Sequence, residues 1–184
     1  RRTTLITMAA WGLGTLATAA HAAPLSEIQA RKTLNVGIQT DYPPYGFIDA
    51  SLKPQGSDVA TAELIAKQMG VKLNIVTVTS PARIPALQAG KVDLIISSMG
   101  KNPERAAVID FSRPYAPFYL AVFGPADAQI TSIDAIAGKT ISVTRGSIED
   151  IELSNVAPKG ATIKRFEDNN STIAAYLSGQ VELI

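Results

Sequence analysis

Three stretches of this 184-residue chain concentrate groups able to hold a small charged molecule. In Asp41-Tyr42-Pro43-Pro44-Tyr45, two prolines fix the backbone beside two aromatic rings, and a ring so held can serve as a rigid wall. Tyr45 could equally pack on its own lobe. In Ser97-Ser98-Met99-Gly100-Lys101-Asn102-Pro103-Glu104-Arg105, two hydroxyls precede a permissive glycine and an arginine on a first helical turn. The guanidinium offers a planar fork that matches a carboxylate, and Ser98 and backbone N–H groups add donors. The same arginine could instead pair with Glu104 or Asp110 at the surface. Thr144-Arg145-Gly146-Ser147 leads into a helix start, where free N–H groups suit an anion and Ser147 suits a cap.

Other chemistries are excluded by composition. The chain has no Cys and one His, which is His21. Arg1-Arg2, an uncharged and mostly apolar run from Leu5 to Ala20, and Ala20-His21-Ala22 read together as a secretory signal peptide over residues 1–22. The run is diluted by threonines and shorter than the ~20 residues of a membrane span. Arg1-Arg2 is also similar to the start of a twin-arginine export signal. Cleavage after Ala22 takes Arg1 and Arg2 from 17 basic residues and leaves 15 against 16 acidic ones. The mature chain then has neither Cys nor His. A Ser-His-Asp triad, a Cys-His dyad and a His-ligated zinc site are all ruled out. No cofactor or metal is expected. A net charge so near zero gives no reason to expect nucleic acid as a partner. The G-x-G-x-x-A match at Gly12 to Ala17 lies inside the signal and follows no strand.

The elements that must position these groups alternate between strand and helix. Leu34, Val36 and Ile38 alternate with polar residues as a strand does, so Asp41 to Gly46 is expected to be a loop and Phe47 to Gln55 a short hairpin. Ser57 or Asp58 is expected to cap a helix ending at Gly70, and Ser80-Pro81 to start another ending at Gly90. Val71 to Val78 and Val92 to Ile96 read as strands, the latter buried on both faces. The pattern then restarts: strand Tyr119–Phe123, helix Ser132–Gly138, strand Thr140–Val143, a capping box at Ser147, strand Ala161–Phe166, and a helix from Asn170 or Ser171 to Gly179. Leu87 to Ile95 resembles Leu177 to Ile184, and Thr33 to Val36 resembles Thr140 to Val143. The expectation is an α/β fold of two similar lobes, 23–120 and 121–184, with ligand bound beyond the carboxyl ends of the strands.

From about Leu34 onward, the chain resembles the bacterial extracellular solute-binding proteins of family 3, periplasmic receptors of polar amino acid ABC transporters. The resemblance rests on Val36-Gly37, Asp41 to Tyr45, Gly56-Ser57-Asp58-Val59, Arg83 to Leu87, Gly90-Lys91-Val92-Asp93, Ser97-Ser98 with Pro103-Glu104-Arg105, and Ile109 to Ser112 with Pro114-Tyr115. It departs from the family's G-F-D-x-D signature, having Ser57 for the aromatic and Ala60 for the second acid.

The resemblance implies a type II two-lobe binding fold with a hinge and assigns roles to residues. Tyr42 would stack on the ligand. The Ser97 carbonyl would meet an α-ammonium, and Ser98 and the Gly100 N–H would donate to the ligand. Arg105 would grip the α-carboxylate, with Ser147 and Ile148 closing on it from the second lobe. Arg83 would stand at the cleft edge, where specificity varies. The acid facing the ammonium would lie beyond Ile184, so the chain is expected to be a piece of a longer one that binds free amino acids weakly without it.

The function so implied is a monomeric periplasmic receptor that captures an amino acid or similar small zwitterion. It would deliver this ligand to an inner-membrane ABC permease. A rival on the same scaffold is a cyclohexadienyl dehydratase, for which Glu149 is the candidate general acid; Glu149 also suits a helix N-terminus. Arg83 and Arg145 could favour a ligand with an acidic side chain, but Arg145 could equally point away from the cleft, and the sequence leaves the ligand open. Mass spectrometry of the secreted protein should find Ala23 at its N-terminus; an uncleaved chain beginning upstream of Leu5 would remove the signal-peptide reading.

Overall fold

The computed structural model describes residues 24–184, so the signal segment lies outside the described residues. The first lobe is built on a parallel sheet of three strands, β1 (Thr33–Ile38), β5 (Lys72–Thr77) and β6 (Leu94–Ile95), in the order β5-β1-β6. Between β1 and β5 run β2 (Asp41–Tyr42), β3 (Gly46–Ile48), β4 (Pro54–Gln55) and helix α2 (Ser57–Met69). Helix α1 (Leu25–Arg31), which no sequence pattern announces, precedes β1 and buries Ile28. Helices α3 (Arg83–Gln88) and α4 (Pro103–Ala106) flank β6. Leu34, Val36, Ile38, Val59 and Ala62 form the centre of this core.

The second lobe repeats the plan with β7 (Thr140–Thr144), α5 (Ile148–Val156), β8 (Thr162–Phe166) and α6 (Asn169–Leu177). Strands β7 and β8 are parallel, and Leu183 bridges to Ile141 in parallel on the other side of β7. The order β8-β7-Leu183 therefore matches β5-β1-β6, the arrangement that the similarity of Leu87–Ile95 to Leu177–Ile184 implies. Ile136, Ile141, Val143, Leu153 and Leu183 form its core. Among the described residues no helix is long and apolar enough to cross a membrane.

Several local expectations are corrected. Asp41–Tyr42 is a short strand, not a loop, paired antiparallel with Gly46–Phe47; the prolines sit in the turn, where no ladder donor is needed. Tyr119 to Phe123 joins no sheet. Its Tyr119 and Phe123 side chains are exposed, and only Phe123 exchanges hydrogen bonds, with Ile184 at 2.7 and 2.9 Å. Leu94 is exposed at the edge of its sheet, so β6 is not buried on both faces. Residues Ile133–Ile136 form a 3-10 turn, and Ser132 makes no side-chain cap. Ser80 does not cap α3: its hydroxyl accepts from Gln39 Nε2 at 3.2 Å, and its carbonyl accepts from Arg83 Nε at 3.1 Å. Helix α6 is capped by Asp168, whose carboxylate accepts from Ser171 N at 2.8 Å.

Neither Ser57 nor Asp58 caps α2; Gly56 occupies that position without a side-chain bond. Asp58 instead reaches across to the loop after β6. Its Oδ2 accepts from Ser98 N at 3.1 Å and faces Ser98 Oγ at 3.4 Å. Ser98 has φ 45°, a left-handed conformation that costs a non-glycine residue energy, and the carboxylate holds it there.

Burial pushes the Asp58 carboxyl up, against the Ser98 bonds that pull it down. A carboxyl raised on folding gives its stabilisation below its unfolded value and loses it as pH rises through the folded one. The stability difference between Asp58→Asn and the parent should therefore shift toward the variant as pH rises through the carboxylate range. Thermal melts at a series of pH values test this; a difference independent of pH would remove the burial argument.

Candidate functional site

The carboxyl ends of β1 and β6 face the start of α5 in the other lobe, and a cavity of about 620 Å³ lies there. Tyr42, Arg83 and Ser98 line it from the first lobe, and Ser147, Ile148 and Glu149 from the second. Its apolar side is made by Leu120, Val122, Leu153 and Val156 among others. Ser97, Gly100 and Arg105 are not among the residues that line it; Arg105 adjoins it through its bond to the Gly146 carbonyl. Among the described residues no cluster of His, Cys, Asp and Glu is gathered to hold a metal.

Tyr42 is placed by the β2–β3 hairpin, its ring 5.3 Å from that of Tyr45 and tilted by 37°. Its hydroxyl reaches across the cleft toward Glu149 Oε1 at 3.4 Å. Burial, and then the Glu149 charge, hold that phenol well above its ordinary range, so it stays a donor. Glu149 is thus a group of the cavity wall as well as an acid in the first turn of α5.

Arg83 is 2% exposed and not at the cleft edge. Nε donates to the Ser80 carbonyl at 3.1 Å, Nη1 to the Ser97 carbonyl at 2.8 Å, and Nη2 approaches the Gly146 carbonyl at 3.4 Å. The Ser97 carbonyl, expected to meet an ammonium, is therefore shared with a guanidinium. The Ser97 hydroxyl bonds Gln39, accepting from its backbone N at 3.0 Å. Burial, then the charge of Arg105, bring Arg83 down to about 10, with Glu149 opposing.

Arg105 comes from α4, where Asn102 accepts from the Arg105 backbone N at 2.8 Å and Pro103 starts the helix. It is buried and pairs with neither Glu104 nor Asp110. Nη1 donates to the Gly100 carbonyl at 2.7 Å and Nη2 to the Gly146 carbonyl at 2.9 Å. Burial lowers its guanidinium as well, against the charges of Glu149 and Glu104.

Two arginines of one lobe thus converge on one carbonyl of the other. Gly146 aims that carbonyl from φ 67°, a conformation that side chains rarely adopt. Gly100 is small for a different reason. A Cβ there would lie 3.3 Å from Ile148 Cγ1, so the lobes meet closely at this point.

Ser147 caps α5, accepting from Asp150 N at 3.1 Å, and Asp150 Oδ2 accepts from Gly146 N at 3.0 Å. The expected capping box is present, with its acid reaching back one residue further than usual. The N–H groups of Ile148 and Glu149 open the helix and have no place in its ladder. Arg145 points away from the cavity and pairs with Glu167 at 2.6 Å on the exposed surface. With Arg83 spent on carbonyls and Arg145 outside, the basis for an acidic-side-chain preference is gone.

Two groups escape a reading by sequence. Asp41 stands there only as part of a motif, and nothing singles out Asn169. Asp41 Oδ2 accepts from Asn169 N at 2.7 Å, and Oδ1 accepts from Asn169 Nδ2 at 3.2 Å. The sequence pattern starts that helix at Asn170 or Ser171, one or two residues too late to mark Asn169.

Comparison with known proteins bears on the family and the fold. Residues 34–182 match the model of the bacterial extracellular solute-binding proteins, family 3. A probable histidine-binding protein of Campylobacter jejuni is 32% identical over 162 residues, covering 86% of this chain and 61% of its own. The crystal structure of a cysteine-binding protein from Campylobacter jejuni is 30% identical and superposes with a TM-score of 0.83 over 86% of this chain and 65% of that one. An ancestral amino acid-binding protein, described as a precursor of cyclohexadienyl dehydratase, is 34% identical with a TM-score of 0.74, over 86% of this chain and 72% of that one. The chain spans about three fifths of the length of the curated relatives it matches. Its two α/β lobes are those of the type II periplasmic binding fold, and the chain belongs to the bacterial extracellular solute-binding proteins, family 3.

Proposed function

We propose that the protein is an extracytoplasmic receptor that captures an amino acid or similar small zwitterion between its lobes. The observation that carries this reading is the convergence of Arg83 and Arg105 on Gly146, at the open N-terminus of α5. Two buried guanidiniums and free helix N–H groups put donors on one side of the cleft, which suits a carboxylate. The terminal nitrogens of Arg105 each carry a second N–H for it. Tyr42 forms the wall on which the rest of the ligand lies, and Ser98, Ser147, Ile148 and the Gly100 N–H complete the contact.

The lobes, 23–120 and 121–184, turn about a hinge between them. The protein is a monomer in the periplasm, its signal removed near Ala22, and hands its ligand to an inner-membrane ABC permease. In this reading no bond is made or broken. Relatives are named for histidine and for cysteine, two unlike side chains, and the α-groups are what these amino acids share.

A thermal-shift panel of amino acids on the full-length protein tests the reading. A melting shift with one or a few amino acids is expected, and no shift with any would sink it. Prephenate should be left unchanged; its loss from the absorbance spectrum would favour the dehydratase, for which Glu149 stands in the cavity. Arg105→Ala should lower affinity at least tenfold while the fold is kept, because breaking one side of a buried charge pair costs about 2–5 kcal/mol. Each 1.4 kcal/mol is about tenfold. Calorimetric titration decides, and an affinity within twofold of the parent would show that Arg105 does not serve the ligand.

A further inference from the structure

Asp41 is not among the groups lining the cavity, yet it makes the shortest of the side-chain hydrogen bonds that cross between the lobes among the described residues. Its two oxygens accept from the backbone N and the Nδ2 of Asn169, the first residue of α6. The receiving end is prepared before the lobes meet. Thr144 Oγ1 donates to Asn169 Oδ1 at 2.7 Å, which turns the Asn169 amide N–H toward the first lobe. Asp168 already caps its own helix through Ser171 N, so the Asn169 N–H is left for an outside acceptor. A carboxylate at a helix N-terminus also meets the positive end of the helix dipole. Asp41 is fixed in turn by the β2–β3 hairpin that positions Tyr42, its neighbour. Every partner of this contact belongs to the protein itself, so closing the cleft makes it whether or not a ligand is present.

We infer that Asp41 is a positioning residue whose bond to Asn169 clasps the lobes shut and sets the fraction of closed receptor. The inference rests on the reading of the cleft as a closing ligand site. A ligand that binds only the closed form sees an affinity reduced by the closed fraction, and that factor is the same for every ligand. The clasp therefore scales affinity without choosing among amino acids. Arg105, by contrast, acts on the ligand itself.

The test uses the full-length protein with nitroxide labels at Leu64→Cys and Leu177→Cys, one exposed helix position in each lobe. The described sequence has no other cysteine to take a label. Without ligand, Asp41→Ala should move the label-to-label distances measured by pulsed electron resonance toward longer values, and Asp41→Asn should move them less. With ligands from the amino acid panel, Asp41→Ala should lower every affinity at least fivefold and leave the ratio between any two within twofold. Ligand-free distances identical in parent and both variants would overturn the clasp, as would an affinity ratio that changes. A parent that binds no amino acid would count against the proposed function, while the ligand-free distances would still decide the clasp.

Discussion

The carbonyl of Gly146 is the point on which this molecule turns. It accepts from Arg105 and lies within reach of Arg83, so two like charges are drawn toward one neutral oxygen. A carbonyl offers two lone pairs but no charge, and it cannot neutralise two guanidiniums in a setting that has lost much of its water. Both arginines are depressed by burial, and Arg83 further by Arg105. The anion closest to balancing them is Glu149, whose charge raises both. Glu152 also lines the cavity and Glu104 stands near Arg105, so the two guanidiniums share the seam with several carboxylates.

The repeated strand order explains why these groups face each other. In each lobe a central strand has its parallel neighbours on both sides, and the chain turns from the strand's carboxyl end into a loop or a helix start. Ser97 and Ser98 follow β6, and Gly146 and Ser147 follow β7. Such ends carry unpaired N–H and carbonyl groups, which are free to meet a ligand or the other lobe. Two copies of one plan brought end to end therefore produce a polar seam between two apolar cores.

Much of this is readable from residue types. Alternation in Leu34–Ile38 and the β-branched run Thr140–Val143 locate the two central strands, because a period of two in apolar residues belongs to an extended chain with one face buried. Asn102-Pro103 places Arg105 on a helical turn because proline suits that position and little else. The failures share a cause. Ser57, Ser80 and Ser132 look like caps locally, but Ser80 has its hydroxyl taken by Gln39, 41 positions away, and neither Ser57 nor Ser132 makes a cap bond. Asp58 has the look of a cap and is a brace for Ser98. Tyr119–Phe123 has the composition of a strand, yet composition cannot supply a neighbouring ladder. Asp41 and Asn169 are 128 positions apart, and no local pattern joins them.

That separation also bears on how the chain folds. Within a lobe, paired strands are close in sequence: Thr140 meets Thr162, and Thr33 meets Lys72. Bringing together distant positions costs more chain entropy than closing a short loop, and such pairs are rewarded late. Each lobe can thus gather its own core first, and the contacts across the seam come last. The seam then has the shallowest protection in the native state, opening while both sheets stay intact. Amide hydrogens at the start of α6 should exchange by local opening, whereas those of β1 and β7 wait for a whole lobe to unfold.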